Sequence, residues 1–440
     1  MKRILVIGAG MVARPLVEYL LDQPEFYVEV ADIVADKPRL LDGRHPRGKA
    51  GAINLDDETM LQAVVKPADL VVSLAPYVYH PKIAACCLKH KKHLVTASYV
   101  TPAMADFDAE ARRAGLVFLN EIGLDPGIDH MEAMRIIHDI HDRGGLVQEF
   151  ISYCGGLPAP EADTNPWGYK FSWSPIGVLR AGNNSAIYFK DGEEVVLPSE
   201  RLFDSCPAIR VEGLPEFEGY PNRDSLPYIR LYGIPETKTM FRGTLRYNGW
   251  CRTIKAVRGL GWLDETPMDW KDATLESFLQ GRMKVPAGTP VKNAVGRALS
   301  LPEDSDVVQR MEWLGLFSPT PIPAGNASPL EVLAGLMADR LKYAPGERDM
   351  VVLQHTFVAA FPQGRKEKIT STLIDFGVPH GDSSMARTVG LPAAIGARLI
   401  LQRKIKSAGV QIPVLPEIYE PVLEELKRRG IEFREERRSV

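Results

Sequence analysis

The chain has 440 residues, 45% of them apolar and 25% charged, which is material for two or three domains with substantial cores. A formal net charge of -3 argues against nucleic acid or an acidic membrane surface as a partner. The five cysteines include no C-x-x-C pair, which argues against a disulfide framework or a structural zinc site and fits a reducing compartment, with the cytoplasm as the expected location.

Lys2 and Arg3 precede the apolar run ILVIGAGMVA, an outline shared with signal peptides. The glycine spacing favours a strand and turn instead, and no apolar run reaches the ~18 residues of a membrane span. Residues 3–7 read as a buried strand, 11–21 as a helix and 26–31 as a second strand. A short third strand is expected at 50–54. Strands at 69–74 and 93–97 flank a helix at 81–90, and a helix over 103–114 leads to a last strand at 116–120. This alternation predicts a parallel, doubly wound sheet. Residues 128–142 read as a helix. Strand-like runs rich in Gly, Pro, Tyr and Trp follow to about residue 249, and helical periodicity covers roughly residues 265–345. Strands return at 350–361 and 367–376 around the turn PQGRK, and a long helix is expected over 383–406.

GAGMVA, Gly8 to Ala13, lies between the first strand and the first helix and fits G-x-G-x-x-A. Gly8 permits the tight turn, Gly10 lets the backbone approach a pyrophosphate, and Ala13 allows close helix–sheet packing. The helix start adds N–H groups and a positive dipole end, which places Met11 and Val12 among the expected cofactor contacts. Asp32 ends the second strand near the ~20-residue spacing of a ribose-binding acid. A carboxylate there accepts ribose hydroxyls and repels a 2′-phosphate, so NAD is the expected cofactor, with NADP the alternative. Lys37 and Arg39 can soften that preference or serve as surface charge. The loops SLAPYVYHP (with Ala75 and Pro76) and TASYVTP (with Ala97, Ser98 and Tyr99) sit at carboxyl ends of later strands, where such sheets bind ligands. Tyr99 either packs or presents a hydroxyl. In NEIGLDPGIDHM, Pro126 and Gly127 break the strand after Leu124 and hold Asp125 at a turn.

The segments GLDPGIDH, SYCGGLPAPE, NPWGYKFSWSP, YPNRDS, RGTLRY, ERDMVVLQH and SSMARTVGLPAA run through essentially the whole chain. Together they resemble the saccharopine dehydrogenases of the glutamate-forming type. The resemblance implies an α/β fold: a Rossmann-like doubly wound parallel sheet (residues 1–125 and 385–440), an α+β substrate-binding and dimerisation domain (126–262 and 346–384) and an inserted all-helical domain (263–345). It implies a homodimer, no metal, and the conversion of saccharopine, an oxidised nicotinamide cofactor and water to glutamate and 2-aminoadipate 6-semialdehyde. The family divides into NADPH-using biosynthetic enzymes and NAD-using lysine-degrading ones, and the acid at Asp32 resembles the latter.

Saccharopine is a secondary amine with three carboxylates, and guanidinium groups suit carboxylates best. The resemblance at YPNRDS and RGTLRY points to Arg223 and Arg246 as carboxylate clamps, with Thr244 and Leu245 adding backbone contacts. Ser98, Tyr99 and Asp125 are the other expected substrate contacts, and Ser174 a cofactor contact. Oxidation requires the amine to lose a proton, and Tyr99, Asp125 and Cys154 are the candidates to handle it. Cys154 either exchanges protons, with Gly155 and Gly156 keeping its surroundings open, or is a small apolar residue at a strand end. Trp167 and Trp173 either line the cleft or fill core. His138 and His141 are expected on a solvated helix face rather than on a metal, and His130 is expected to orient structure. Three alternatives stand beside this reading: an NADPH-dependent reductase, a dehydrogenase of a carboxylated polyamine precursor, and a catalytically silent NAD sensor.

Overall fold

The computed structural model describes residues 1–33, 45–286 and 288–440, so Lys37 and Arg39 lie outside the described residues. Two compact units are present: residues 1–147 with 359–440, and residues 148–358.

The first unit is built on β1 (Lys2–Ile7), β2 (Phe26–Asp32), β3 (Gly48–Ala52), β4 (Leu70–Ser73), β5 (His93–Thr96) and β6 (Val117–Leu119). Their order is β6-β5-β4-β1-β2-β3, with the strand Gly409–Gln411 added outside β6. Every one of these pairings is parallel. Residues 4–7 and 70–73 are buried throughout, as the unbroken apolar runs of a sheet covered on both faces require. The order reverses around β1, between β2 and β4, and the carboxyl ends of all six strands share one edge. That is where a doubly wound sheet opens a ligand crevice.

The helix Ala13–Asp22 packs against the long helix Ser384–Leu401. Gly390 permits this approach, because a Cβ there would stand 2.7 Å from the Val12 carbonyl oxygen. The helix expected over 103–114 is two helices, Pro102–Ala105 and Asp108–Ala114. Phe107 N–H bonds back only three residues, to Met104 O, and the Phe107 ring turns toward Phe118. Tertiary packing thus overrides the continuous helical pattern. The third strand starts two residues earlier than expected. Two further elements carried too little periodicity to be read in advance. One is the helix Glu58–Val65, whose Asp57 cap accepts from Thr59 and Met60 N–H. The other is the strand Gly409–Gln411.

In the second unit the strand Leu146–Pro158 runs parallel to Thr239–Tyr247, which pairs antiparallel with Phe217–Pro221. The helices Leu275–Met283, Val291–Leu299, Asp306–Leu314 and Pro329–Arg340 occupy the stretch where helical periodicity was expected. Ser328 and Thr274 form capping boxes at two of their starts, satisfying N–H groups that have no partner within the helix.

Candidate active site

The glycine turn of the first unit follows β1 directly. Gly8 has φ +105, and a Cβ there would stand 2.9 Å from the Leu74 carbonyl group, so only glycine fits. A Cβ on Gly10 would meet nothing within 4 Å, leaving open the space a pyrophosphate needs. The helix Ala13–Asp22 begins at Val12 with no side-chain cap and no acid in its first turn, so its first N–H groups suit an external anion. Met11 beside it is exposed. Asp32, 8% exposed, ends β2, and its Oδ2 accepts the Ala9 N–H at 2.8 Å. This bond fixes the carboxylate at the rim of the glycine turn. These features fit a dinucleotide, which would supply the hydride acceptor.

Along the same edge, Ala75 and Pro76 follow β4, and Ala97, Ser98 and Tyr99 follow β5. Leu124, Asp125 and Pro126 lie just past β6 in a tight loop. Gly123 N–H donates to Pro126 O, Ile128 N–H to Gly123 O and Asp129 N–H to Leu124 O. Gly127 has φ +146, and a Cβ there would overlap Gly123. Between this loop and its neighbour, the Tyr99 hydroxyl donates to Asp125 Oδ1 at 3.0 Å. Two expected proton-handling groups are therefore in direct contact.

His80 was not singled out from the sequence. It is 2% exposed and sits among three hydroxyls: Ser73 Oγ lies 3.0 Å from Nδ1, while Ser98 Oγ at 2.8 Å and Thr96 Oγ1 at 3.1 Å face Nε2. Burial pushes its pKa down to about 4, so it is neutral at working pH. A histidine in the loop after β4, facing hydroxyl residues at the ends of β4 and β5, was the available signal.

In the second unit, Cys154 pairs across the sheet with Thr244, and Thr244 with Tyr220. Cross-strand partners share a face, and Arg246, two residues beyond Thr244, joins them there. Arg246 is 4% exposed and is surrounded by the rings of Tyr169, Trp250 and Tyr220, with centroids 5.0, 5.6 and 6.0 Å from its guanidinium carbon. Its Nη1 donates to Leu245 O at 2.7 Å, while its buried Nε has no acceptor and no carboxylate reaches it among the described residues. A buried cation with an open donor is suited to an external carboxylate. The aromatic ring set was missed because Tyr169, Tyr220 and Trp250 are far apart in sequence.

Other residues singled out from the sequence have varied surroundings. Gly155 does not keep space open beside Cys154, because a Cβ there would stand 2.8 Å from Leu245 O; the glycine serves strand packing. Cys154 itself is 7% exposed. Arg223 is exposed on a left-handed turn with φ 57. Ser174 is exposed and caps the helix Pro175–Ala181 by accepting Gly177 N–H at 3.2 Å. Trp167 is core, with Nε1 donating to Arg310 O at 2.9 Å. His138 is half-buried, and its Nδ1 lies 2.7 Å from the Tyr419 hydroxyl.

Comparison with known proteins gives a consistent result. Residues 123–431 match the family described as "Saccharopine dehydrogenase C-terminal domain", and residues 4–119 the one described as "Saccharopine dehydrogenase NADP binding domain". The chain is 40% identical to "Saccharopine dehydrogenase [NADP(+), L-glutamate-forming]" of Saccharomyces cerevisiae, over 99% of each chain. It is 37% identical to "Alpha-aminoadipic semialdehyde synthase, mitochondrial" of Bos taurus, over 98% of this chain and 47% of that one. The solved structure "Apo histidine-tagged saccharopine dehydrogenase (L-Glu forming) from Saccharomyces cerevisiae" superposes with a TM-score of 0.89 at 37% identity, covering 100% of both chains.

Proposed function

The chain belongs to the saccharopine dehydrogenase family, and on that premise we propose that it oxidises L-saccharopine, with NAD preferred, to L-glutamate and L-2-aminoadipate 6-semialdehyde. The observation that carries the reading is the Tyr99–Asp125 contact at the ligand edge of the dinucleotide-binding sheet. A nicotinamide cofactor held at the Gly8–Ala13 turn and Asp32 would supply the acceptor for a hydride from the carbon next to the amine nitrogen. That transfer needs a neutral nitrogen, whose lone pair forms the C=N bond. Asp125 takes the amine proton, and the Tyr99 hydroxyl, hydrogen-bonded to it, stabilises the carboxylate and orients it. Water then adds to the imine carbon. The resulting carbinolamine loses its hydroxyl proton as the C–N bond breaks, and the departing glutamate nitrogen gains a proton. Asp125 and Tyr99 hold and return that proton, and the Cys154 thiol is the further group offered for these transfers. Arg246 takes a substrate carboxylate within its aromatic surround, and Arg223 another at the exposed turn.

The NAD preference rests on Asp32, whose fixed carboxylate opposes a 2′-phosphate. The "NADP(+)" in the names of the fungal relatives favours a second reading, an NADP-linked enzyme of the same reaction. We further propose that the protein is a homodimer through its α+β domain (126–262 and 346–384) and acts in the cytoplasm, with an insert over residues 263–345 that is helical apart from the short pairing of Met268–Asp269 with Asn326–Ala327. Among the described residues no helix is long and apolar enough to cross a membrane. Incubation with saccharopine and NAD, followed by quantitation of glutamate, semialdehyde and reduced cofactor, tests the reaction. Equal amounts of the three are expected, and cofactor reduction without glutamate would refute it.

A further inference from the structure

Glu121 and His130 bind the segments that carry Tyr99 and Asp125. Both are buried, at 5% and 0% exposure. Glu121 has φ 55, a left-handed backbone that costs energy for a non-glycine residue, so its surroundings must hold it there. It binds the chain on both sides of Tyr99. Its N–H donates to Ser98 O at 3.1 Å, and its Oε1 accepts the Val100 N–H at 2.9 Å. The other oxygen, Oε2, lies 2.8 Å from His130 Nε2. A carboxylate only accepts, so Nε2 carries the proton and donates. His130 stands in the first turn of the helix that follows the Asp125 loop. Its neighbour Asp129 closes that loop, with Oδ1 accepting the Gly127 N–H at 2.6 Å. One buried carboxylate therefore ties the Tyr99 segment to the helix that anchors the Asp125 loop.

We propose that Glu121 and His130 are positioning residues for the Tyr99–Asp125 pair: they fix the 3.0 Å hydroxyl–carboxylate contact and act on the reaction only through it. The inference rests on the proton-handling role given to that pair above. A displacement of the order of 1 Å at a reacting group costs ~100-fold in rate, so removing the tie is expected to lower kcat by about 10- to 100-fold.

The test is a double-mutant cycle on the intact enzyme. Glu121→Leu removes both side-chain acceptors. Glu121→Gln keeps the acceptor for Val100 N–H, and His130 meets the amide by changing tautomer. Kinetics of cofactor reduction are measured for each, alone and with Tyr99→Phe, alongside cofactor dissociation constants. Glu121→Leu is expected to lower kcat by about 10-fold or more with cofactor affinity nearly unchanged, and Glu121→Gln to recover most of that loss. With Tyr99→Phe present, Glu121→Leu should cost less than about 3-fold more, because the contact it serves is already gone. The same fold-loss in both backgrounds, or a loss that follows cofactor affinity, would overturn the proposal. His130→Leu, which removes the donor and leaves Glu121 in place, is expected to show the same non-additivity on a smaller scale. It decides the matter if Glu121→Leu does not fold. A wild-type enzyme inactive on saccharopine would instead refute the reaction itself, so the two failures are distinguishable.

Discussion

At the scale of single residues, the site stores unfavourable free energy where a ligand would relieve it. Arg246 is buried with an open Nε and no carboxylate within reach among the described residues. Burying a cation without a counter-charge costs folding free energy. Arg246→Met is therefore expected to raise the thermal midpoint of the ligand-free protein while raising KM for saccharopine by about 10- to 100-fold, the loss of charge-assisted bonds of ~1.5–3 kcal/mol. Thermal unfolding and initial rates check the two halves, and a lowered midpoint would make Arg246 a structural residue. His80 gives a pH signature. Its pKa falls from 6.5 unfolded to about 4 folded because burial disfavours the cation. Between those values the unfolded chain holds the extra proton, so stability is complete above about 6.5 and declines as pH falls toward about 4, by roughly 3 kcal/mol in all. Comparing urea denaturation of the wild type and His80→Gln across that window should show the variant with the flatter pH dependence. Parallel curves would show that His80 does not titrate in this way.

At the scale of elements, the cofactor turn was legible in the sequence because its residues are contiguous and each glycine answers a backbone need. Gly8 shows the positive φ and close approach that its place in GAGMVA implied. The parallel strands were legible too, as apolar runs of ordinary strand length separated by helices. What supports the turn from behind was not. Gly390 lies in a segment more than a domain away in sequence, yet it is the residue that lets the helix Ser384–Leu401 reach Val12. Gly390→Ala places a methyl 2.7 Å from the Val12 carbonyl oxygen, which a packed interface cannot absorb without backbone shift. The expected cost is ~1–3 kcal/mol in stability, with weaker cofactor binding measured by fluorescence titration. Unchanged affinity would mean that the glycine turn does not feel this helix. The split helix at residues 102–114 was illegible for a related reason, since the break serves the packing of Phe107 on Phe118.

At the scale of the whole molecule, chain-wide segments carried the family, while local periodicity carried the sheet. Arg246 was reached from its place in RGTLRY, but its aromatic surround required the fold, because sheet register alone brings Tyr220 and Thr244 together. Asp32 shows the converse. Its position at the end of β2 was legible, whereas its bond to Ala9 N–H, which makes the carboxylate a fixed feature of the rim, was not. The proposed oxidation of saccharopine uses a cofactor chosen by that carboxylate. The most direct measurement is the kcat/KM of saccharopine-dependent cofactor reduction with NAD and with NADP, for the wild type and for Asp32→Asn, which keeps an acceptor for Ala9 N–H. NAD is expected to lead by at least about 10-fold in the wild type, since bringing like charges together costs on the order of 1.4 kcal/mol or more, and the lead should shrink in Asp32→Asn. NADP leading in the wild type, a ratio unmoved by Asp32→Asn, or no reduction of either cofactor by a protein that binds it would contradict the account.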